Sequence, residues 1–136
     1  MIDSTLDHVG IVVPDLDAAM AELAAQLGIE FAIVFDDDLE VREPGDGDRS
    51  IHLRIAYSPE RPALELIETV AGTPWAPDRV GLHHLAFFVD ELVAESERLA
   101  GTCPIEICGR DAGGNVPTTF TYHTGGLFRV ELLAPR

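Results

Sequence analysis

One pattern occurs twice in this chain, and a duplicated pattern restricts the possible folds more than composition does. Residues 7–16 read Asp7-His8-Val9-Gly10-Ile11-Val12-Val13-Pro14-Asp15-Leu16, and residues 83–92 read His83-His84-Leu85-Ala86-Phe87-Phe88-Val89-Asp90-Glu91-Leu92. Each is a short apolar run opened by His and followed by the start of a helix. A second pair matches in the same way: Leu64-Glu65-Leu66-Ile67 and Val130-Glu131-Leu132-Leu133, each an apolar run holding one Glu. The offset is 76 residues for His8 to His84, Leu16 to Leu92 and Leu23 to Leu99, and 66 for Glu65 to Glu131. One insertion, in the long acidic stretch after the first helix, accounts for the difference. The chain reads as two copies of one unit.

In the first copy, Val9 to Val13 is a β-rich run stopped by Pro14. Asp15 is a good N-cap, Leu16, Met20, Leu23 and Leu27 recur at helical spacing, and Gly28 stands where a C-cap belongs. Ile29 to Phe35 reads as a strand, Asp36 to Ser50 as an acidic loop or loosely held hairpin, and Ile51 to Tyr57 and Ala63 to Thr69 as strands. Gly72, Pro74, Pro77 and Gly81 mark a linker. In the second copy, Asp90 caps a helix whose apolar side holds Leu92, Val93, Leu99 and Ala100, and Gly101 ends it. Strands follow near Ile105 to Cys108, Thr118 to Tyr122 and Phe128 to Leu133, with a Gly-rich turn at Asp111 to Asn115. The expectation is an α+β fold in one domain over residues 1–136, built from β-α-β-β-β modules at 5–70 and 82–136 with a linker at 71–81.

A chain of 136 residues, 46% hydrophobic and 24% charged, is long enough to bury a core and too apolar to be disordered. Its formal net charge is −15, and all nine basic residues are Arg. That field repels phosphate backbones and anionic membrane surfaces, so neither nucleic acid nor membrane is an expected partner. No apolar run approaches the length of a membrane span. The opening residues Met1-Ile2-Asp3-Ser4-Thr5 have neither a basic region nor an apolar core, which points to a cytoplasmic protein. Cys103 and Cys108, five residues apart, fit neither a zinc knuckle nor a thioredoxin motif and read as two reduced thiols.

Two repeats that each supply one His and one Glu can build a four-ligand metal site where they meet: His8, Glu65, His84 and Glu131. Alternate strand residues share a face, so His8 stands with Gly10 and Val12, and His84 with Ala86 and Phe88. A small residue two places along leaves room beside each His. A carboxylate in mid-strand on a buried face is costly unless it is paired or metal-bound. The other reading is a sheet face open to water, on which both Glu are merely solvated. Mixed imidazole and carboxylate ligands suit a divalent Co, Ni, Mn, Fe or Zn ion.

At these residues the sequence resembles the vicinal oxygen chelate superfamily, which includes glyoxalase I, methylmalonyl-CoA epimerase, extradiol dioxygenases and fosfomycin- and bleomycin-resistance proteins. The resemblance covers nearly the whole chain. It is carried by residues 6–16, by the Gly81-Leu82-His83-His84-Leu85-Ala86-Phe87 string, which looks most like methylmalonyl-CoA epimerases, and by residues 125–132. The implied fold is a glyoxalase-like cup-shaped mixed sheet around one metal ion held by His8, Glu65, His84 and Glu131. The implied activity is that of a metal-dependent isomerase or epimerase, acting by proton transfer α to a metal-bound carbonyl, with Glu131 and Glu65 as candidate catalytic carboxylates. A glyoxalase I-like lyase, another enzyme of the superfamily and a non-catalytic small-molecule-binding or resistance protein are the alternatives. The implied partner is a small molecule with a carbonyl or vicinal oxygens, and a homodimer is common in the superfamily.

The chain also departs from that pattern. A strand that carries a second carboxylate base in some epimerases reads Ile51-His52-Leu53-Arg54-Ile55-Ala56-Tyr57 here, which makes His52 and Arg54 its candidates for substrate contact. Arg129, two residues before Glu131, either binds a substrate carboxylate or pairs with acidic neighbours at the rim. Trp75 is either a lid over the cup or an anchor for the linker. His83 is expected to face away from the cup and pack against the helix layer, and His123 reads as a turn histidine.

Overall fold

The duplicated pattern folds as duplicated structure. In a computed structural model that describes residues 2–114 and 116–135, the first half holds β1 (Ile2–Val13), α1 (Leu16–Leu27), β2 (Ala32–Glu43), β3 (Gly47–Tyr57) and β4 (Ala63–Glu68). A 3-10 turn at Pro77–Arg79 leads to β5 (Gly81–Val89), α2 (Leu92–Ala100), β6 (Ile105–Gly109), β7 (Phe120–His123) and β8 (Val130–Leu133). The expected ends at Met1 and Arg136, and Asn115 of the expected turn, lie outside the described residues. The sheet closes in the order β1-β4-β3-β2-β6-β7-β8-β5. β1 runs parallel to β4 and β5 parallel to β8, so each half repeats the other's pairing. The fold is the α+β cup expected from two β-α-β-β-β modules.

Two antiparallel seams join the halves. β1 pairs with β5 along most of its length, from Ile2↔Val89 to Val12↔Gly81. β2 meets β6 at only two positions, Val41↔Gly109 and Arg42↔Cys108.

Strand alternation sorts side chains into a lumen and two outer faces. Val12, Val41, Ile51, Leu53, Ile67 and Ile107 pack inside the cup with Trp75, Phe120 and Tyr122. Leu66 faces outward onto α1 beside Leu16 and Ala56, and Leu132 faces outward onto α2 beside Val89 and Leu92. Both leucines are fully buried, and truncating either to Ala would cost about 2–5 kcal/mol. The Glu preceding each is thereby turned into the lumen. Helix α1 begins as expected, with Asp15 Oδ1 accepting from Ala18 N at 2.9 Å, and ends at Gly28 in the left-handed region (φ 69°). Leu27 of its expected apolar face is 59% exposed. Helix α2 is capped by the extended Glu91 rather than Asp90, with no side-chain cap bond.

Of the two readings of the acidic stretch, the structure has the hairpin, and it is a regular one. Asp36, Asp37 and Asp38 are strand residues of a long β2–β3 hairpin, not a loop. Their charge is matched across the ladder, where Asp36 faces Arg54 and Asp38 faces His52, while Leu39 and Val41 alternate into the core. Cross-strand opposite charges support such pairing. β1 also starts earlier than its apolar run, because residues from Ile2 onward pair with β5. Both cysteines are free thiols. Among the described residues, no helix is long and apolar enough to cross a membrane.

Candidate metal centre

His8, Glu65, His84 and Glu131 lie on β1, β4, β5 and β8, four strands that are neighbours in the closed sheet. All four are buried, and one ligand atom from each lies within 4.8 Å of all the others. His8 Nε2 is 2.9 Å from Glu131 Oε1 and 3.3 Å from His84 Nε2. His84 Nε2 is 3.1 Å from Glu65 Oε1 and 3.2 Å from Glu131 Oε1. The small residues of the repeat make this convergence possible in a crossed manner. Gly10 sits opposite His84 across the ladder, and Ala86 sits opposite His8. Each small residue makes room for the imidazole of the other half.

The partners behind the two imidazoles fix their tautomers. The Pro74 carbonyl can only accept, so the 2.8 Å contact from His83 Nε2 carries the hydrogen on that nitrogen. His83 Nδ1 then accepts from His84 Nδ1 at 2.8 Å, which leaves the His84 lone pair on Nε2, facing the cluster. Asp7 Oδ2 accepts from His8 Nδ1 at 2.8 Å, which turns the His8 Nε2 lone pair the same way. Asp7 is itself held by Arg61 Nε at 3.3 Å, and the Arg61 guanidinium lies 5.0 Å from the Tyr57 ring centre. The residue before each ligand thus has the same place and a different chemistry: a carboxylate backs His8, and a neutral imidazole backs His84.

Two nitrogen lone pairs and two carboxylates in a buried site demand a positive charge among them. Without an ion, protons supply it. Burial pulls both imidazoles down, but Glu131 and Glu65 outweigh it, so His8 is pushed up to about 11 and His84 to about 9. Burial raises Glu65 too, yet the imidazoles of His8 and His84 hold its carboxyl well below the usual range. His83 moves the other way, down to about 3, through burial and then the charge of His84, and so stays neutral. Burial and then Glu65 and Glu131 push the Tyr57 hydroxyl far up, so it stays protonated. The Glu65 Oε1 atom is buried and has no hydrogen-bond partner despite lying 3.1 Å from His84. Two imidazole nitrogens and two carboxylate oxygens, one of them the orphaned Glu65 Oε1, form a donor set that fits a divalent ion.

Other residues singled out in the sequence lie elsewhere. His52 is exposed on the outer face of β3, bonded to Asp38 at 2.9 Å and Asp36 at 2.8 Å. Arg54 is on the same outer face, 3.2 Å from Glu68 and 3.4 Å from Asp17. The strand's parity turns Ile51, Leu53 and Ile55 into the cup instead. Arg129 forks onto Glu106 at 2.7 and 3.1 Å and donates to the His83 carbonyl at 3.1 Å. Of its two readings, the acidic neighbour is the partner found. His83 is not packed on the helix layer but stands 5.6 Å from the Tyr122 ring. His123 is buried rather than in a turn, donating from Nδ1 to Cys103 O at 2.8 Å and accepting from Thr121 Oγ1 at 2.9 Å. Asp7 and Tyr57 were not singled out, although Asp7 immediately precedes a repeated His and Tyr57 continues the inward parity of Ile51, Leu53 and Ile55.

Known proteins give the same picture of the fold. The methylmalonyl-CoA epimerase from Mycobacterium tuberculosis superposes with a TM-score of 0.65 at 22% identity, covering 100% of this chain and 93% of that one. A hypothetical protein from Bacillus halodurans C-125 gives 0.65 at 18% identity, covering 98% and 96%. A Streptomyces coelicolor methylmalonyl-CoA epimerase variant in complex with 2-nitronate-propionyl-CoA gives 0.63 at 19% identity, covering 96% of each chain. No curated protein sequence matches the chain. The family model of the glyoxalase/bleomycin resistance protein/dioxygenase superfamily matches residues 7–102. With the duplicated halves and the cup already in view, that match over most of the chain establishes that it belongs to the glyoxalase/bleomycin resistance protein/dioxygenase superfamily.

Proposed function

We propose that this chain is a metal-dependent isomerase or epimerase that moves a proton α to a carbonyl, with His8, Glu65, His84 and Glu131 as its metal ligands. One observation carries the reading: four ligand atoms from four adjacent strands converge in a buried site, and the orphaned Glu65 Oε1 is among them. A divalent ion held there supplies Lewis acidity toward a carbonyl oxygen, which makes the neighbouring C–H acidic.

The chain's own residues supply the rest. Asp7 and His83 hold the two imidazoles in the tautomers that face the site. The apolar lumen excludes water and strengthens charge interactions. Glu131 and Glu65 border a cavity in that lumen, where either carboxylate can accept a proton and return it. Tyr57, kept protonated, stays a donor beside Glu65. Named neighbours that are methylmalonyl-CoA epimerases, one in complex with a CoA ester, support a carbonyl compound as the substrate class.

The test is α-proton exchange in deuterated water, followed by NMR, on metal-loaded protein offered acyl thioesters, α-hydroxycarbonyls and 1,2-dicarbonyls. Exchange that needs the metal and is lost in Glu131→Gln is the expected result. If no compound of any class exchanges while the metal stays bound, the proposal fails.

A further inference from the structure

The linker is not a surface strap but part of the cup. Val70 N donates to Trp75 O at 2.8 Å, Thr73 Oγ1 to Val70 O at 2.7 Å, and Trp75 N to Thr73 Oγ1 at 3.0 Å. These bonds curl residues 70–75 into a tight loop that drives Trp75 into the lumen, where it is 1% exposed. Its Nε1 donates to the Tyr122 hydroxyl at 3.1 Å, and the Tyr122 ring lies 4.8 Å from the His84 ring. Trp75, Tyr122 and His84 thus form a continuous aromatic wall. What remains beside Glu65 and Glu131 is a cavity of about 120 Å³, walled mainly by Leu53, Ile55, Trp75 and Phe120. That is smaller than the roughly 150 Å³ apolar cavity that takes a benzene ring.

The cavity carries no cationic side chain; its polar groups are the two carboxylates and the Tyr122 hydroxyl already bonded to Trp75. The rest of the described chain does not supply one either. Arg42, Arg49, Arg54, Arg61, Arg79, Arg98, Arg110 and Arg129 each stand within salt-bridge distance of an Asp or Glu. A second carboxylate on the substrate would be buried without a partner, which strongly disfavours binding. A phosphate-bearing carrier would approach a surface of net charge −15 without an unpaired Arg among the described residues to receive it.

We infer that the cup takes a small dioxygen compound with no charge beyond its chelating oxygens, such as a short α-hydroxyketone or 1,2-diketone, and that Trp75 sets this limit as the specificity-determining residue. The inference rests on the proposed function, since it assumes that the substrate meets a metal ion at the quartet.

The test loads the protein with Co(II) and titrates three hydroxamates while the visible spectrum and dissociation constant are read. Acetohydroxamate is small, benzohydroxamate is bulky and apolar, and succinate monohydroxamate carries a second carboxylate. The expected result is that acetohydroxamate binds at least about tenfold tighter than the other two. Trp75→Ala, or Trp75→Leu where the first variant does not fold, should then tighten benzohydroxamate about tenfold and leave the succinate derivative weak. Equal binding of all three by the wild type overturns the inference and leaves the metal reading standing, as does benzohydroxamate binding that no Trp75 variant improves. Stoichiometric Co(II) whose spectrum no chelator perturbs overturns the proposed function, and this inference with it.

Discussion

A Cβ added to Gly10 would lie 2.0 Å from His84 Cε1, so the imidazole of one half occupies the space that a side chain on the other half would need. The ring cannot swing aside cheaply, because His83 holds its Nδ1. Gly10→Ala should therefore weaken metal binding by about tenfold or more, while far-ultraviolet circular dichroism stays native. A variant that binds metal like the wild type would show that His84 has freedom the packing denies it.

The two backing residues should matter to the same property. Asp7→Ala and His83→Phe each remove an orienting partner, and such partners are worth about 10–100-fold in metal affinity. Competition with a chromogenic chelator measures this. His83→Gln should recover part of the loss, since an amide can still accept from His84 Nδ1. Equal loss in the Gln and Phe variants would mean that packing, not the hydrogen bond, is what His83 contributes.

Removing the metal should cost stability as well. An ion held only by the folded chain adds about 4 kcal/mol at a thousandfold excess over its dissociation constant, a Tm rise on the order of 10 °C for a domain of this size. Thermal melts with and without chelator should show that gap, and Glu65→Ala with Glu131→Ala should abolish it. A wild type whose melting point ignores both metal and chelator would contradict it.

The quartet was legible because each of its residues sits at a repeated place in an apolar run, and the repeat needs no structure to be seen. The cup was implied by the resemblance those residues carry to the vicinal oxygen chelate superfamily. Other features depend on parity or on partners distant in sequence. His52 and Arg54 drew attention as polar residues in a strand, but Ile51, Leu53, Ile55 and Tyr57 alternate with them and occupy the lumen side. The second half of β2 was hidden because Asp36 to Asp38 break the apolar pattern, and only β3 supplies the charges that make them tolerable in a sheet. His123 is buried through Thr121 and Ser96, whose hydroxyls are 2.9 Å apart across β7 and α2, a pairing no local pattern announces.

His123 also yields a pH dependence. Burial holds its pKa below the ordinary value, against the bond to the Cys103 carbonyl. In the unfolded chain it titrates near the ordinary value of about 6.5. The folded state therefore takes up its proton later on acidification, and stability is fully present above about pH 6.5 and falls as pH drops toward the lower folded pKa. Melts of the metal-saturated protein at pH 7 and pH 5.5 should show a larger loss in the wild type than in His123→Asn. An equal loss in both would place the acid sensitivity elsewhere.

The two seams of the barrel are unequal, and this decides how the molecule breathes. Strands β4, β1, β5 and β8, which carry the quartet, are consecutive and joined by ladders of four or more paired positions, whereas β2 and β6 share two paired positions on the far side. Local opening favours the regions held by the fewest hydrogen bonds, so the β2–β6 seam is expected to open first, with β1 and β5 as the hinge. Amides at Val41, Arg42, Cys108 and Gly109 should exchange with solvent before those of the ligand wall. Opening there would admit a guest through the weak seam without disturbing His8, Glu65, His84 and Glu131 on the opposite wall.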